Sequence, residues 1–140
     1  MKVQSLAKDE HSLQVAVITW AGLNAGRWPC LHLLFSVPNG AAYGGGMKTL
    51  KSGRSIPVAA IRAHRMKAEG LRPGVPDLCL PVARGGFHGL FLELKTKTGR
   101  LRPEQALWLD ALRDEGYRAE VAHGLDEAVE VLRSYVSAPA

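Results

Sequence analysis

Gly74-Val75-Pro76-Asp77-Leu78, then Leu90-Phe91-Leu92-Glu93-Leu94-Lys95, then Arg102-Pro103-Glu104-Gln105 form the stretch 74–105 whose reading decides how this chain folds. Leu78 to Val82 and Gly89 to Thr96 are apolar runs of strand length, joined through the turn-prone Arg84-Gly85-Gly86. A hairpin is the economical connection between two such runs. Side chains alternate along a strand, so Leu90, Leu92 and Leu94 take one face and Phe91, Glu93 and Lys95 the other. Pro103 suits the first turn of a helix and Gly116 its end, which places Gln105 at the head of that helix.

Working outward, Leu13, Ala16, Val17, Trp20 and Ala21 recur at helical spacing within Leu6 to Ala25, and Gly26 follows at a capping position. Leu31 to Val37, bounded by Pro29 and by Pro38-Asn39-Gly40, reads as a short buried strand. Residues 38–54 read as a glycine-rich basic loop, and Pro57 to Glu69 as a second helix. After the central stretch, Trp108, Ala111 and Leu112 mark the inner stripe of the third helix. Tyr117, Ala119 and Val121 alternate as a fourth strand, and Leu125, Ala128, Val129, Leu132 and Tyr135 mark a final amphipathic helix. The order α-β-α-β-β-α-β-α predicts an α/β fold with a mixed four-stranded sheet flanked by helices, as one domain over 1–140.

Composition narrows the function. The chain has 140 residues, 46% of them hydrophobic and 22% charged, as a folded globular domain has. No apolar run approaches the 18 or so residues a membrane span needs, and the N-terminus turns polar where a signal peptide would be apolar; a cytoplasmic protein without a membrane partner is expected. Cys30 and Cys79 sit in strand-like sequence and read as buried thiols. The five histidines have no paired metal-ligand spacing and no C-x-x-C occurs, which argues against zinc. The net charge of +5 is uneven: residues 47–73 carry seven Lys or Arg against Glu69 alone, while residues 103–140 carry eight acids against three bases. A basic middle of this kind suits a polyanion such as nucleic acid, although a merely solvated face fits the composition equally well. The Walker phosphate-loop pattern is missing from the glycine-rich segment, so a nucleoside triphosphate site is unsupported.

A carboxylate entering one strand and a Glu-x-Lys on its neighbour converge at one edge of a sheet. Mg²⁺ prefers oxygen ligands and is commonly held by one or two carboxylates plus a substrate phosphate, so Asp77 and Glu93 are candidate ligands for Mg²⁺ or Mn²⁺. Such an ion activates water and neutralises charge developing on a scissile phosphate. Lys95, on the same face as Glu93, can position that water, and a cation beside it lowers its basicity enough for a share in general-base work.

With G-V-P-D at 74–77, E-L-K at 93–95 and Gln105 in R-P-E-Q-A-L-W, the chain resembles the virus-type replication-repair nuclease (VRR-NUC) domain of the PD-(D/E)xK nuclease superfamily. The resemblance runs from about Asp9 to Tyr135 and includes Glu10 and Gln14 of an E-x-x-x-Q helix. It implies a restriction-endonuclease-like fold and a metal-dependent phosphodiesterase: Asp77 and Glu93 as metal ligands, Lys95 as the catalytic lysine, Gln105 completing the site, and Glu10 as an additional ligand. Lys48, Lys51, Arg54, Lys67, Lys97, Arg100 and Arg102 are the candidate DNA-binding cations. Compact members of this family resemble viral enzymes that act as homodimers on four-way (Holliday) junctions, which is the leading expectation for the substrate. A two-fold junction needs paired cuts, and a two-fold dimer supplies them. The final helix and Trp28 are candidate interface material or core.

Two other readings stay open at this level. One keeps the chemistry and changes the substrate to a flap, another branched DNA, or a site for sequence-specific nicking. The other is a DNA-binding module without catalysis. In isolation, Glu93 and Lys95 would read as a surface ion pair worth little energetically. The apolar setting of Leu90, Phe91, Leu92 and Leu94 favours a covered strand, where charges are rare without a task.

Overall fold

A computed structural model describes residues 9–38 and 45–140. They form two compact units, residues 9–37 with 74–140, and residue 38 with residues 45–73. The first unit carries the sheet. Its helix α1 (Glu10–Asn24) begins at Asp9, whose carboxylate accepts the Ser12 amide at 2.7 Å, and buries Leu13, Val17 and Ala21. These apolar positions, four residues apart, make the single inward stripe expected from the helical spacing.

The next segment corrects the sequence expectation. Pro29–Leu33 is a short 3₁₀ helix, and only Phe35–Ser36 pairs as a strand, β1. Proline fixes φ and favours a helical first position, and the Leu34 amide turns back to the Leu31 carbonyl, so the apolar run coils before it extends.

The second unit holds β2 (Met47–Thr49), β3 (Ser55–Pro57) and α2 (Val58–Ala68). Part of the segment expected as a loop is therefore a hairpin. β2 and β3 pair antiparallel, and Gly53, at φ +83°, sits in the turn between them. Of the expected 38–54 loop, residues 39–44 lie outside the described residues.

Back in the first unit, β4 (Leu78–Leu80), β5 (Leu90–Lys95), α3 (Pro103–Asp114), β6 (Arg118–His123) and α4 (Leu125–Ser137) follow in order. The sheet runs β1-β4-β5-β6; β4 is antiparallel to both β1 and β5, and β6 is parallel to β5. The α3 crossover is what a parallel β5–β6 pair requires. Leu78, Leu80, Leu90, Leu92 and Leu94 are buried with Leu13, Val17 and Ala21 of α1 and Ala128, Leu132 and Tyr135 of α4 in one core. Each fully buried leucine is worth about 2 kcal/mol of transfer free energy.

The apolar face of α4 is thus core, and Trp28 packs against that core and against Trp20, their ring centroids 6.4 Å apart. On α3 the buried residues are Gln105 and Leu109, four apart, whereas Ala111 of the expected inner stripe is exposed. No helix among the described residues is long and apolar enough to cross a membrane.

Gly74 explains how the stretch before β4 meets α3. Its φ is +91°, and a Cβ there would lie 2.6 Å from the Glu104 carbonyl oxygen and 3.0 Å from Trp108 Cδ1. Gly86 has a comparable φ of +86° with open space around it. Gly74→Ala should therefore cost about 3 kcal/mol of stability, from left-handed strain plus a backbone clash, and Gly86→Ala about 1 kcal/mol, from strain alone. Urea midpoints of the two variants measure the difference; equal losses would remove the close approach as a cause.

Candidate active site

The register places the chemistry. Leu78 pairs with Leu92, so one step further along the antiparallel ladder sets Asp77 opposite Glu93. Directly opposed residues have their Cβ atoms about 5 Å apart, close enough for two carboxyls to interact. Asp77 Oδ2 accepts the Leu94 amide at 2.8 Å, which fixes its side chain across the end of β5. Glu93 is 1% exposed, Lys95 4% and Gln105 5%, the three buried polar or charged side chains found among the described residues.

Each of the three has a distinct partner. Gln105 Nε2 donates to Glu93 Oε1 at 2.8 Å, while Gln105 Oε1 accepts the Arg102 amide at 2.9 Å. Lys95 Nζ stands 3.5 Å from Glu93 Oε1 and 3.4 Å from Glu10 Oε1. Both contacts to Glu93 fall on Oε1, and Glu93 Oε2 is buried with no hydrogen-bond partner.

An orphaned carboxylate oxygen beside a second carboxylate is electrostatically poor unless a proton or a cation sits with it. Burial pushes Glu93 up to about 8, the negative charge of Asp77 adds to the shift, and Lys95 opposes it. Asp77 is also raised, chiefly by burial, against the hydrogen bond from Leu94. Both shifts run the same way, favouring the protonated form of each carboxyl when no cation is bound.

The same pair fits a small hard cation. Two carboxylates leave room for water and phosphate oxygens, the usual surroundings of Mg²⁺. Among the described residues no group of three His, Cys, Asp or Glu forms a metal cage. Glu10 reaches the site from α1, half exposed, and its carboxylate rests on Lys95. The structure therefore brings together Asp77, Glu93, Lys95, Gln105 and Glu10.

The seven expected DNA-binding cations are all exposed and divide between the two units: Lys48, Lys51, Arg54 and Lys67 in one, Lys97, Arg100 and Arg102 in the other. Sequence reasoning passed over His123 as one histidine among five. It closes β6 as the register partner of Lys95, and its Nε2 lies 3.1 Å from the Gly99 carbonyl. Only the parallel pairing of β6 with β5 could have pointed to it.

A model of the VRR-NUC domain matches residues 47–126, more than half of the chain, and spans Asp77, Glu93, Lys95 and Gln105. The chain belongs to the VRR-NUC domain family. It is thereby a nuclease of the PD-(D/E)xK type. A solved structure described as a VRR_NUC domain protein superposes with a TM-score of 0.70 at 25% identity, over 93% of this chain and 89% of that one. No curated protein matches significantly. Glu10 lies outside the matched 47–126, so its place at a VRR-NUC site rests on its contact with Lys95.

Proposed function

We propose that this VRR-NUC chain is a Mg²⁺- or Mn²⁺-dependent endonuclease of branched DNA, a four-way junction foremost, acting as a homodimer. The observation that carries the chemistry is Glu93: a buried carboxylate with one oxygen bound to Gln105 and Lys95 and the other left without a partner beside Asp77.

Asp77 and Glu93 would hold the divalent ion, which when bound supplies a Lewis acid for the phosphate and an acidified water. Gln105 fixes Glu93 Oε1 and so decides that Oε2 is the free oxygen. The amide of Leu94 holds Asp77 in place. Lys95, pinned between Glu10 and Glu93, keeps its ammonium at the site without a large search of rotamers and can orient a nucleophilic water or counter phosphate charge. Exposed cations in both units suit a phosphate backbone.

The junction and dimer parts of the reading rest on the resemblance to compact family members and on symmetry: one active site per chain makes one cut, and paired nicks need two. Cleavage of a labelled four-way junction in Mg²⁺ and in Mn²⁺, beside matched linear duplex and flap substrates, tests it. Symmetric paired nicks confined to the junction are expected. Preferential flap cutting would move the substrate, and tight junction binding with no cutting in either metal would leave a binding module.

A further inference from the structure

The turn between β5 and α3 carries Lys97 and Arg100, both exposed, and among the described residues neither has a carboxylate within ion-pair distance. Within itself the turn is closed by one bond, from the Gly99 amide to the Thr96 carbonyl at 3.1 Å. It lies back on the site: a Cβ on Gly99 would be 3.1 Å from Thr96 Oγ1 and 3.4 Å from Lys95 Cβ. The stem of Lys97 follows the backbone at Gly124, where a Cβ would be 3.7 Å from its Cγ and Cε.

The long-range tie on this turn comes from His123, 24 residues away, through Nε2 to the Gly99 carbonyl. A carbonyl only accepts, so Nε2 carries the hydrogen. His123 is itself anchored. Its amide donates to Glu127 Oε2 at 2.7 Å, and the next amide, of Gly124, donates to the Lys95 carbonyl at 2.9 Å. One end of the tie is thus a sheet strand and the other a solvent-facing turn, so the strand holds the turn.

We infer that His123 is a positioning residue for DNA engagement: by holding the Gly99 carbonyl it keeps the turn bearing Lys97 and Arg100 ordered beside Lys95, ready for the phosphates flanking the cut. The inference rests on the nuclease reading above. Ordering a turn before binding removes an entropic cost that the complex would otherwise carry. Its loss falls on DNA binding, while Lys95, held separately by Glu10 and Glu93, keeps its place.

The test compares His123→Ala, His123→Gln and His123→Asn on a labelled four-way junction, with Kd measured without divalent ion and kcat and KM measured in Mn²⁺. A glutamine amide reaches the position of Nε2 and an asparagine amide does not. Ala and Asn should raise Kd and KM about tenfold with kcat within about twofold of wild type, and Gln should stay within about threefold throughout. Wild-type Kd and KM in the Ala variant, equal behaviour of Gln and Asn, or a loss confined to kcat would each overturn the inference. Wild-type cutting in parallel tests the nuclease reading separately. If the wild type binds without cutting, the Kd series still decides the role of His123; if it does neither, both readings fall.

Discussion

Lys95→Ala is expected to lose about two to three orders of magnitude in single-turnover cleavage while still binding DNA. Its ammonium is the buried positive charge at the carboxylates, 3.5 Å from Glu93 and 3.4 Å from Glu10. Removing it takes away the group proposed to orient water or phosphate and leaves Glu93 without the ammonium 3.5 Å from its Oε1. Breaking a buried pair from one side also costs stability, so the variant should melt earlier than wild type. A melting curve at the assay temperature separates loss of chemistry from loss of fold. Cleavage within tenfold of wild type by a folded Lys95→Ala protein would remove Lys95 from the reaction.

Glu93→Gln should abolish cleavage and, without divalent ion, stabilise the protein. Glu93 is raised from an ordinary 4.5 to about 8, mainly by burial and then by Asp77. A carboxyl raised on folding keeps its proton in the native state where the unfolded chain has lost it. Its stabilising contribution is complete below 4.5 and is lost as pH rises toward about 8. Metal-free wild type should therefore become easier to unfold across that window, and Glu93→Gln should flatten the slope. At the alkaline end the variant gains about 2 kcal/mol, since its amide can donate to Asp77 where wild type buries an orphaned oxygen. Adding Mg²⁺ or Mn²⁺ should flatten the wild-type slope and leave the variant unchanged. Urea midpoints at both ends of the window check the sign, and a wild type more stable at the alkaline end without metal would contradict it.

Both predictions depend on residues that are legible in the sequence, for a specific reason. Period two alone puts Glu93 and Lys95 on one strand face, and a two-glycine turn alone makes β4 and β5 a hairpin. Together they bring Asp77 and the Glu93–Lys95 pair to one edge of the sheet, and the register of Leu78 with Leu92 then sets Asp77 opposite Glu93. Gln105 is visible because Pro103 marks the helix start two residues earlier. Less legible were features decided by partners distant in sequence. Leu31 to Val37 has a strand's composition, yet Pro29 coils its first half. The pairing of β2 with β3 hides in a glycine-rich segment with little apolar content. The stripe of α3 is set by Gln105 turning inward to Glu93, a polar contact that apolar periodicity does not register. His123 needed the parallel register of β6, which no local pattern encodes.

The order of elements also bears on how the enzyme is made. Asp77, Glu93, Lys95 and Gln105 lie close along the chain, in a hairpin and the helix that follows, so their contacts close short loops and can form early. The core beneath them cannot. Leu13, Val17 and Ala21 of α1 are buried together with Ala128, Leu132 and Tyr135 of α4, elements near opposite ends of the sequence. During synthesis α1 therefore waits for its packing partner until residues 125–137 have left the ribosome. Until then Glu10, carried on α1, lacks the closed core that holds it against Lys95, so the nascent chain can bring Asp77 and Glu93 together well before Glu10 reaches Lys95.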